Sequence, residues 1–283
     1  MSVTAMPASK AEPRSDTPNR RARPKALPRP LITAAKGLAG AGIALLLWQA
    51  IPALGLVDPR DLPSVGSIVA AWLDGLVAGF LLSAIGSTLF AWAIGLAISA
   101  VIGAVVGGVL GLLPRVERTT RPLLEFLRPI PAVALIPVAL IVLGIGLRME
   151  LATIVFGSVW PVIFATKAGI ESVDPRYQET GTMLGLSRLE RIRRIVLPAA
   201  MPSVATGVRT AAAIALILAI TVEMLTGQPG LGQYLQAMRI DGQNAHMWAA
   251  VFSAGLLGYL LNVLSIAVER RFMGWSQEYR EQQ

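Results

Sequence analysis

The chain has 283 residues, 54% apolar and 15% charged, a balance that excludes both an ordinary soluble enzyme domain and a disordered polymer. It contains no cysteine and a single histidine, His246, which excludes a disulfide framework, cysteine-bound metal and any multi-histidine site. The formal charge of +8 is spread over short segments between long uncharged runs, so it reads as membrane topology, and no nucleic-acid partner is expected.

Residues 1–30 mix Pro, Arg, Ser and Ala without periodicity and predict a disordered, basic cytoplasmic tail. A first span is predicted over residues 31–56, with Lys36 near its start. It is longer than a signal-peptide core, and Pro52 lacks a small-residue cleavage site around it. Residues 58–74 predict an outer connection with an interfacial helix near residues 68–73. Residues 75–114 carry no Asp, Glu, Lys or Arg. A helix needs about 20 such residues to cross the hydrocarbon core, because each backbone N–H and C=O must be paired internally. Within this second span Ser87, Ala91, Gly95, Ser99, Gly103, Gly107 and Gly111 recur every four residues. They form a small-residue ridge suited to close helix contact, either inside one chain or against a second copy.

The third span is predicted over the uncharged run 129–147, which opens on Arg128-Pro129-Ile130-Pro131 and carries Pro137. Interior prolines delete donors, so the helix is expected to be irregular, and Pro131 and Pro137 are candidates for a pathway or gate. Neighbouring helices would re-satisfy the freed carbonyls equally well. The fourth span covers the uncharged run 151–166 and is expected to be lengthened by Lys167 reaching toward headgroups. The fifth, residues 204–226, holds Arg209 and Glu223 near opposite ends. Arg209 reads as an interface anchor. Glu223 is a third pathway or gate candidate, because carboxylates inside spans face a bundle interior or water; pairing with another span and contact with interfacial water are the alternatives. The sixth span is residues 247–268, followed by a cytoplasmic tail over 269–283.

Twenty of the 25 Lys and Arg residues fall on one set of loops, and the opposite loops hold only Arg60, Arg148 and Arg239. Basic loops remain in the cytoplasm, so both termini are expected inside. The fold class is therefore all-α, a polytopic membrane protein with six transmembrane helices over residues 31–268.

The basic loop at residues 170–203 is the most structured of the connections. Asp174 is placed to cap a short helix with Pro175 at its first position, and Gly185 to end it in a left-handed conformation. Ser187 with Glu190 has the spacing of a capping box for a second helix, whose regular course Pro198 should limit. Leu189, Ile192, Ile195 and Val196 are predicted to share an apolar face that needs a partner.

At these residues the chain resembles the membrane permeases of binding-protein-dependent ABC importers. Their cytoplasmic signature is Glu-Ala-Ala, a Gly four residues after the second Ala, and an Ile-x-Leu-Pro ending; here Glu179, Gly185, Ile195, Leu197 and Pro198 occupy it, with nine residues between Gly185 and Ile195. Thr180 and Gly181 stand where two alanines are usual, and Gly181 should loosen the helix by about 1 kcal/mol relative to Ala. The resemblance runs from about residue 62 to 275, through the Arg-Pro-Ile-Pro run and the segment from Glu223 to Gly232, and is nearest to the nitrate, sulfonate and taurine permeases. It implies an inner-membrane permease of a bacterium, the ABC importer permease fold, a small anion such as a sulfonate, taurine or nitrate as cargo, and no catalysis or cofactor in this chain. It also implies a second copy of the permease, two cytoplasmic ABC ATPase subunits carrying ATP and Mg, and an extracytoplasmic solute-binding protein. ATPase coupling then falls on Glu179, Gly185, Ser187, Glu190, Ile195, Leu197 and Pro198. Consistent with this, no Gly-x-x-x-x-Gly-Lys-Ser/Thr phosphate loop is present. A six-span secondary transporter or membrane scaffold is the other class, but mid-span ionisable groups and internal repeats are missing.

Overall fold

A computed structural model describes residues 29–58 and 60–272. Residues 1–28 of the tail expected over 1–30, and most of the tail expected over 269–283, lie outside the described residues, while Arg29 and Pro30 already belong to a helix. Among those described, every regular element is helical. The chain divides after Trp48 into two units. Helix α1, Arg29–Ala53, passes through that boundary, and its 25 residues reach about 38 Å.

The second unit contains α2 (Val65–Val77), α3 (Phe80–Leu112), α4 (Pro114–Leu127), α5 (Ile136–Leu143), α6 (Leu147–Glu171), α7 (Pro175–Met183), α8 (Arg188–Arg191), α9 (Leu197–Thr226), α10 (Leu231–Ile240) and α11 (Asn244–Phe272). Among the described residues four helices are long and apolar enough to cross a membrane: α3, α6, the continuous helix Arg188–Thr226 and Asn244–Glu269 of α11. The third predicted span is not one straight helix. It is a pair, α4 with Ala132–Leu143, bent by 80°. The prolines explain the break, because they start new turns where a missing N–H costs nothing. Pro131 precedes a 3₁₀ turn at Ala132–Leu135, Pro137 lies in the first turn of α5, and Gly144 at φ 73° ends that helix. Four single crossings, one bent pair and α1 are compatible with six spans.

Helix α6 lies between α3 and α9 and forms the middle of this unit. The ridge of α3 faces it within the same chain. A Cβ added at Gly95 would stand 2.5 Å from Ile154 Cγ2, and one at Gly103 2.5 Å from Val162 Cβ, so only glycine permits this approach. Ser99 and Ser158 join hydroxyls across the seam at 2.7 Å. On the other flank a Cβ at Gly207 would meet Ala165 Cβ at 2.6 Å. Close backbone approach replaces the hydrophobic drive that lipid removes.

Two basic side chains expected at the ends of spans meet carboxylates. Lys167 Nζ donates to Glu117 of α4 at 3.0 Å and lies 3.5 Å from Glu171. Arg209 is held by the buried Glu269 of α11 at 3.2 Å. Both pair because partly buried cations beside available carboxylates gain more from them than from free solvation.

Candidate functional site

Two chain reversals at opposite ends of the bundle hold the candidate residues. The first is the basic loop. Asp174 accepts the N–H of Arg176 at 2.9 Å and so caps α7, with Pro175 at its first position. At the other end Gly185 takes φ 76°, Gly185 N–H donates to Thr182 O at 3.0 Å, and Leu186 N–H donates to Gly181 O at 2.9 Å. That pair of bonds is a Schellman motif, which ends the helix with its carbonyls satisfied. The next residue but one starts α8: Ser187 Oγ accepts the Glu190 N–H at 3.3 Å while Glu190 Oε2 accepts the Ser187 N–H at 3.0 Å. This reciprocal capping box makes the turn rigid without outside help.

Beyond it the second helix does not stop at Pro198. A π turn at Ile192–Val196, with Leu197 N–H bonded to Ile192 O, carries the backbone directly into α9. Widening the helix by one residue per turn leaves Pro198 near the start of α9, where its absent N–H is tolerated. The wider turn also divides the predicted apolar face. Val196 is buried and Ile195 packs beside it with Ile170, Val173 and Ala200. Leu189 is 74% exposed and stands with Met183 at 87% and Leu184 at 75% as the outward apolar group. Glu179 is exposed near them, on α7.

Gly181, the departure from the usual alanine, has a packing reason. An added Cβ would be 2.9 Å from Ile195 Cδ1 and 3.2 Å from Arg191 Cγ. Glycine therefore lets α7 lie close on the π turn, and Arg191 fastens it by donating to Thr182 Oγ1 and, at 3.4 Å, to Gln178 O. Coupling candidates Glu179, Gly185, Ser187, Glu190, Ile195, Leu197 and Pro198 are thus brought onto one reversal and its continuation into α9.

The second reversal is at the far end of α9. Glu223 is fully buried, and its Oε2 accepts from Thr88 Oγ1 at 3.0 Å and from the Gly232 N–H at 2.9 Å. Thr88, on α3, in turn accepts the Leu231 N–H at 2.9 Å. Gly227 turns the chain at φ 72°, and α10 folds back with its first two amides anchored on a carboxylate and a hydroxyl. A Cβ at Gly230 would collide with the Glu223 carboxylate, and one at Gly232 with Ile220 O. In the first turn of α10, burial and then the charge of Asp74 push the Tyr234 hydroxyl above its usual pKa, and His246 Nδ1 lies 3.3 Å from that oxygen. Pro131 and Pro137 are exposed in the bent pair and are not brought to Glu223. Thr88, Gly230 and Gly232 escape residue-by-residue reading; a buried carboxylate followed by closely spaced glycines was the signal for them.

Comparison with known proteins completes the assignment. Residues 99–273 match the family described as binding-protein-dependent transport system inner membrane component. The putative aliphatic sulfonates transport permease protein of Bacillus subtilis is 26% identical, covering 86% of this chain and 88% of that one. The nitrate import permease protein of Synechococcus elongatus is 29% identical, over 81% and 86% of the two chains. The formylaminopyrimidine transport permease protein of Halalkalibacterium halodurans is 29% identical, over 83% and 93%. Among solved structures, a chain of the inward-facing MetNI methionine ABC transporter aligns with a TM-score of 0.62 at 20% identity, over 69% of this chain and 97% of that one, which carries the fold alone. A family match over more than half the chain, on a bundle of apolar helices with that fold, makes this protein a member of the binding-protein-dependent transport system inner membrane components.

Proposed function

We propose that this chain, an inner-membrane permease subunit of an ABC importer, works as a dimer with a second copy and is driven by two separate cytoplasmic ATPase subunits docked on residues 170–203. An extracytoplasmic solute-binding protein delivers cargo, and both termini of the permease lie in the cytoplasm. The observation that carries the coupling assignment is the exposed group Met183, Leu184 and Leu189 on a reversal whose backbone is already satisfied by a Schellman motif and a capping box. Such a surface has no internal use and is rigid enough to transmit force.

The roles follow from the geometry. Glu179 offers a charge-assisted contact to cationic or amide donors of the ATPase. Gly185, Ser187 and Glu190 fix the angle between α7 and α8. Ile195, Leu197 and Pro198 pass displacement of that reversal into α9, because no loop intervenes. ATP and Mg belong to the ATPase, and this chain contributes motion of its spans. Pro131 and Pro137 shape the bent pair as a hinge candidate, and Glu223 serves a gate by holding α10 in place. The cargo is a small anion of the sulfonate, taurine or nitrate kind, a reading supported by the names of the relatives. Reconstitution in liposomes with the ATPase and binding protein tests this: Gly185→Val and Glu179→Ala should each lower ATP-driven uptake. Normal ATPase association and normal uptake in both would reduce the loop to a basic connector.

A further inference from the structure

A cavity of about 510 Å³ lies where the Gln228–Pro229 turn, the first turn of α6 and the adjoining half of α3 meet. Ser83, Ser87, Phe90, Leu147, Glu150 and Gln228 form most of its wall. Glu150 is 3% exposed, and its Oε1 accepts no hydrogen bond. Among the described residues no Lys, Arg or His forms an ion pair with it. Arg148, two residues earlier, is exposed. An uncompensated buried carboxylate is among the costliest groups in a protein; it is neutralised by a proton or by a cation that pairs with it.

Two further wall residues, Ser87 and Phe90, suit a cation, beside apolar Ala91 and Leu147 and the Gln228 amide, which can donate as well as accept. Ser87 uses its proton on Ser83 O at 3.2 Å, so toward the cavity its oxygen has only lone pairs to offer. An ionised carboxylate is likewise an acceptor only. Phe90 supplies an aromatic surface of the kind that attracts cations as well as apolar groups. No side chain occupies the wall at Gly86, where an added Cβ meets nothing within 4 Å.

We propose that this cavity binds the ammonium or amino group of a small solute, with Glu150 as its counter-charge. The inference rests on the importer reading and narrows it: small acids that also carry an amino group suit the site, whereas bare oxyanions are repelled by it. An amino lipid headgroup has the same ammonium chemistry, so the test separates the two sources.

The chain has no cysteine, and Ser83→Cys therefore places one reporter thiol on the cavity wall. The permease–ATPase complex in nanodiscs free of amino lipids is treated with a methanethiosulfonate bearing either ethyltrimethylammonium or ethylsulfonate. The ratio of cationic to anionic reaction rates should fall on the order of tenfold when Glu150→Gln is added, as expected for loss of one nearby unit charge in a partly screened site. Ethylammonium should slow the cationic reagent, ethanesulfonate should not, and Gly86→Val should remove the ethylammonium protection by filling the cavity. An unchanged ratio in Glu150→Gln, or equal protection by both ions, overturns the proposal and means that the carboxylate is neutralised within the assembly. If phosphatidylethanolamine in the nanodisc slows the cationic reagent as ethylammonium does, the site is a headgroup site and the solute assignment fails. Retention of the ATPase in these complexes keeps the importer reading separate; its absence from the parent complex would break that reading instead.

Discussion

The two reversals at the ends of α9 use similar parts to opposite effect. At the basic end, the turn from α7 to α8 satisfies its own backbone and leaves Met183, Leu184 and Leu189 facing outward. At the other end, the turn into α10 leaves its first amides unsatisfied locally and takes their acceptors from Glu223 and Thr88 in the spans. A reversal that needs nothing from the bundle is free to serve a partner. One that borrows its hydrogen bonds from the bundle serves to hold that bundle together. Exposure together with backbone self-sufficiency is what supports the proposal that the first is a docking surface.

If the reversal into α10 is built into the bundle, changes there should cost the most. Gly232→Val drives a side chain into Ile220 O and Met224 N. It is expected to lose about 3 kcal/mol, the upper range for overpacking, and to lower the melting temperature in detergent together with uptake. Glu223→Ala leaves the buried Gly232 N–H without its acceptor and the Thr88 hydroxyl with Ala84 O alone, for a loss of about 2 kcal/mol. Glu223→Gln keeps an acceptor oxygen and should recover most of that stability, so the two variants melting together would remove the latch from the account.

Changes at the basic end should leave the melting temperature of the spans alone and act on the ATPase. Gly185→Val forces a β-branched residue to φ 76°, a strain of about 1 to 2 kcal/mol confined to the reversal. Its expected readout is weaker ATPase retention on an affinity column, with span melting as in the parent. Ser187→Ala removes one half of the capping box for about 1 kcal/mol and should give the same pattern more weakly. Gly181→Ala is the smallest change: the gain in helix propensity, about 1 kcal/mol, is opposed by contact with Ile195 Cδ1 at 2.9 Å. A clear rise in ATPase affinity for this variant would show that α7 tolerates displacement from the π turn.

Much of this was readable in the sequence because the signals are local. Asp174, Gly185, Ser187 and Glu190 announce their caps by spacing alone, and uncharged runs locate apolar helices. The four-residue ridge of α3 announced close packing but not its partner, which is α6. What escaped depends on pairing across the fold. Irregularity at Pro129 to Pro137 was expected, but not the 80° angle between α4 and Ala132–Leu143, and a π turn has no residue signature, so the division between Leu189 outside and Val196 inside was hidden. Glu223 was identifiable as costly, yet its acceptor role needs Thr88, 135 residues away. Glu150 stands one residue before the uncharged run 151–166 and drew no notice there; only the fold places it in a cavity wall.

The central claim is that Met183, Leu184 and Leu189 are the surface on which the ATPase sits. The direct measurement is the stoichiometry of ATPase co-purifying with the double variant Leu184→Glu and Leu189→Glu, read by intact-complex mass measurement. Both side chains are exposed, so the variant is expected to fold and melt like the parent. The account predicts that the ATPase is lost from this complex while the permease remains folded; two ATPase subunits retained at parental affinity would contradict it.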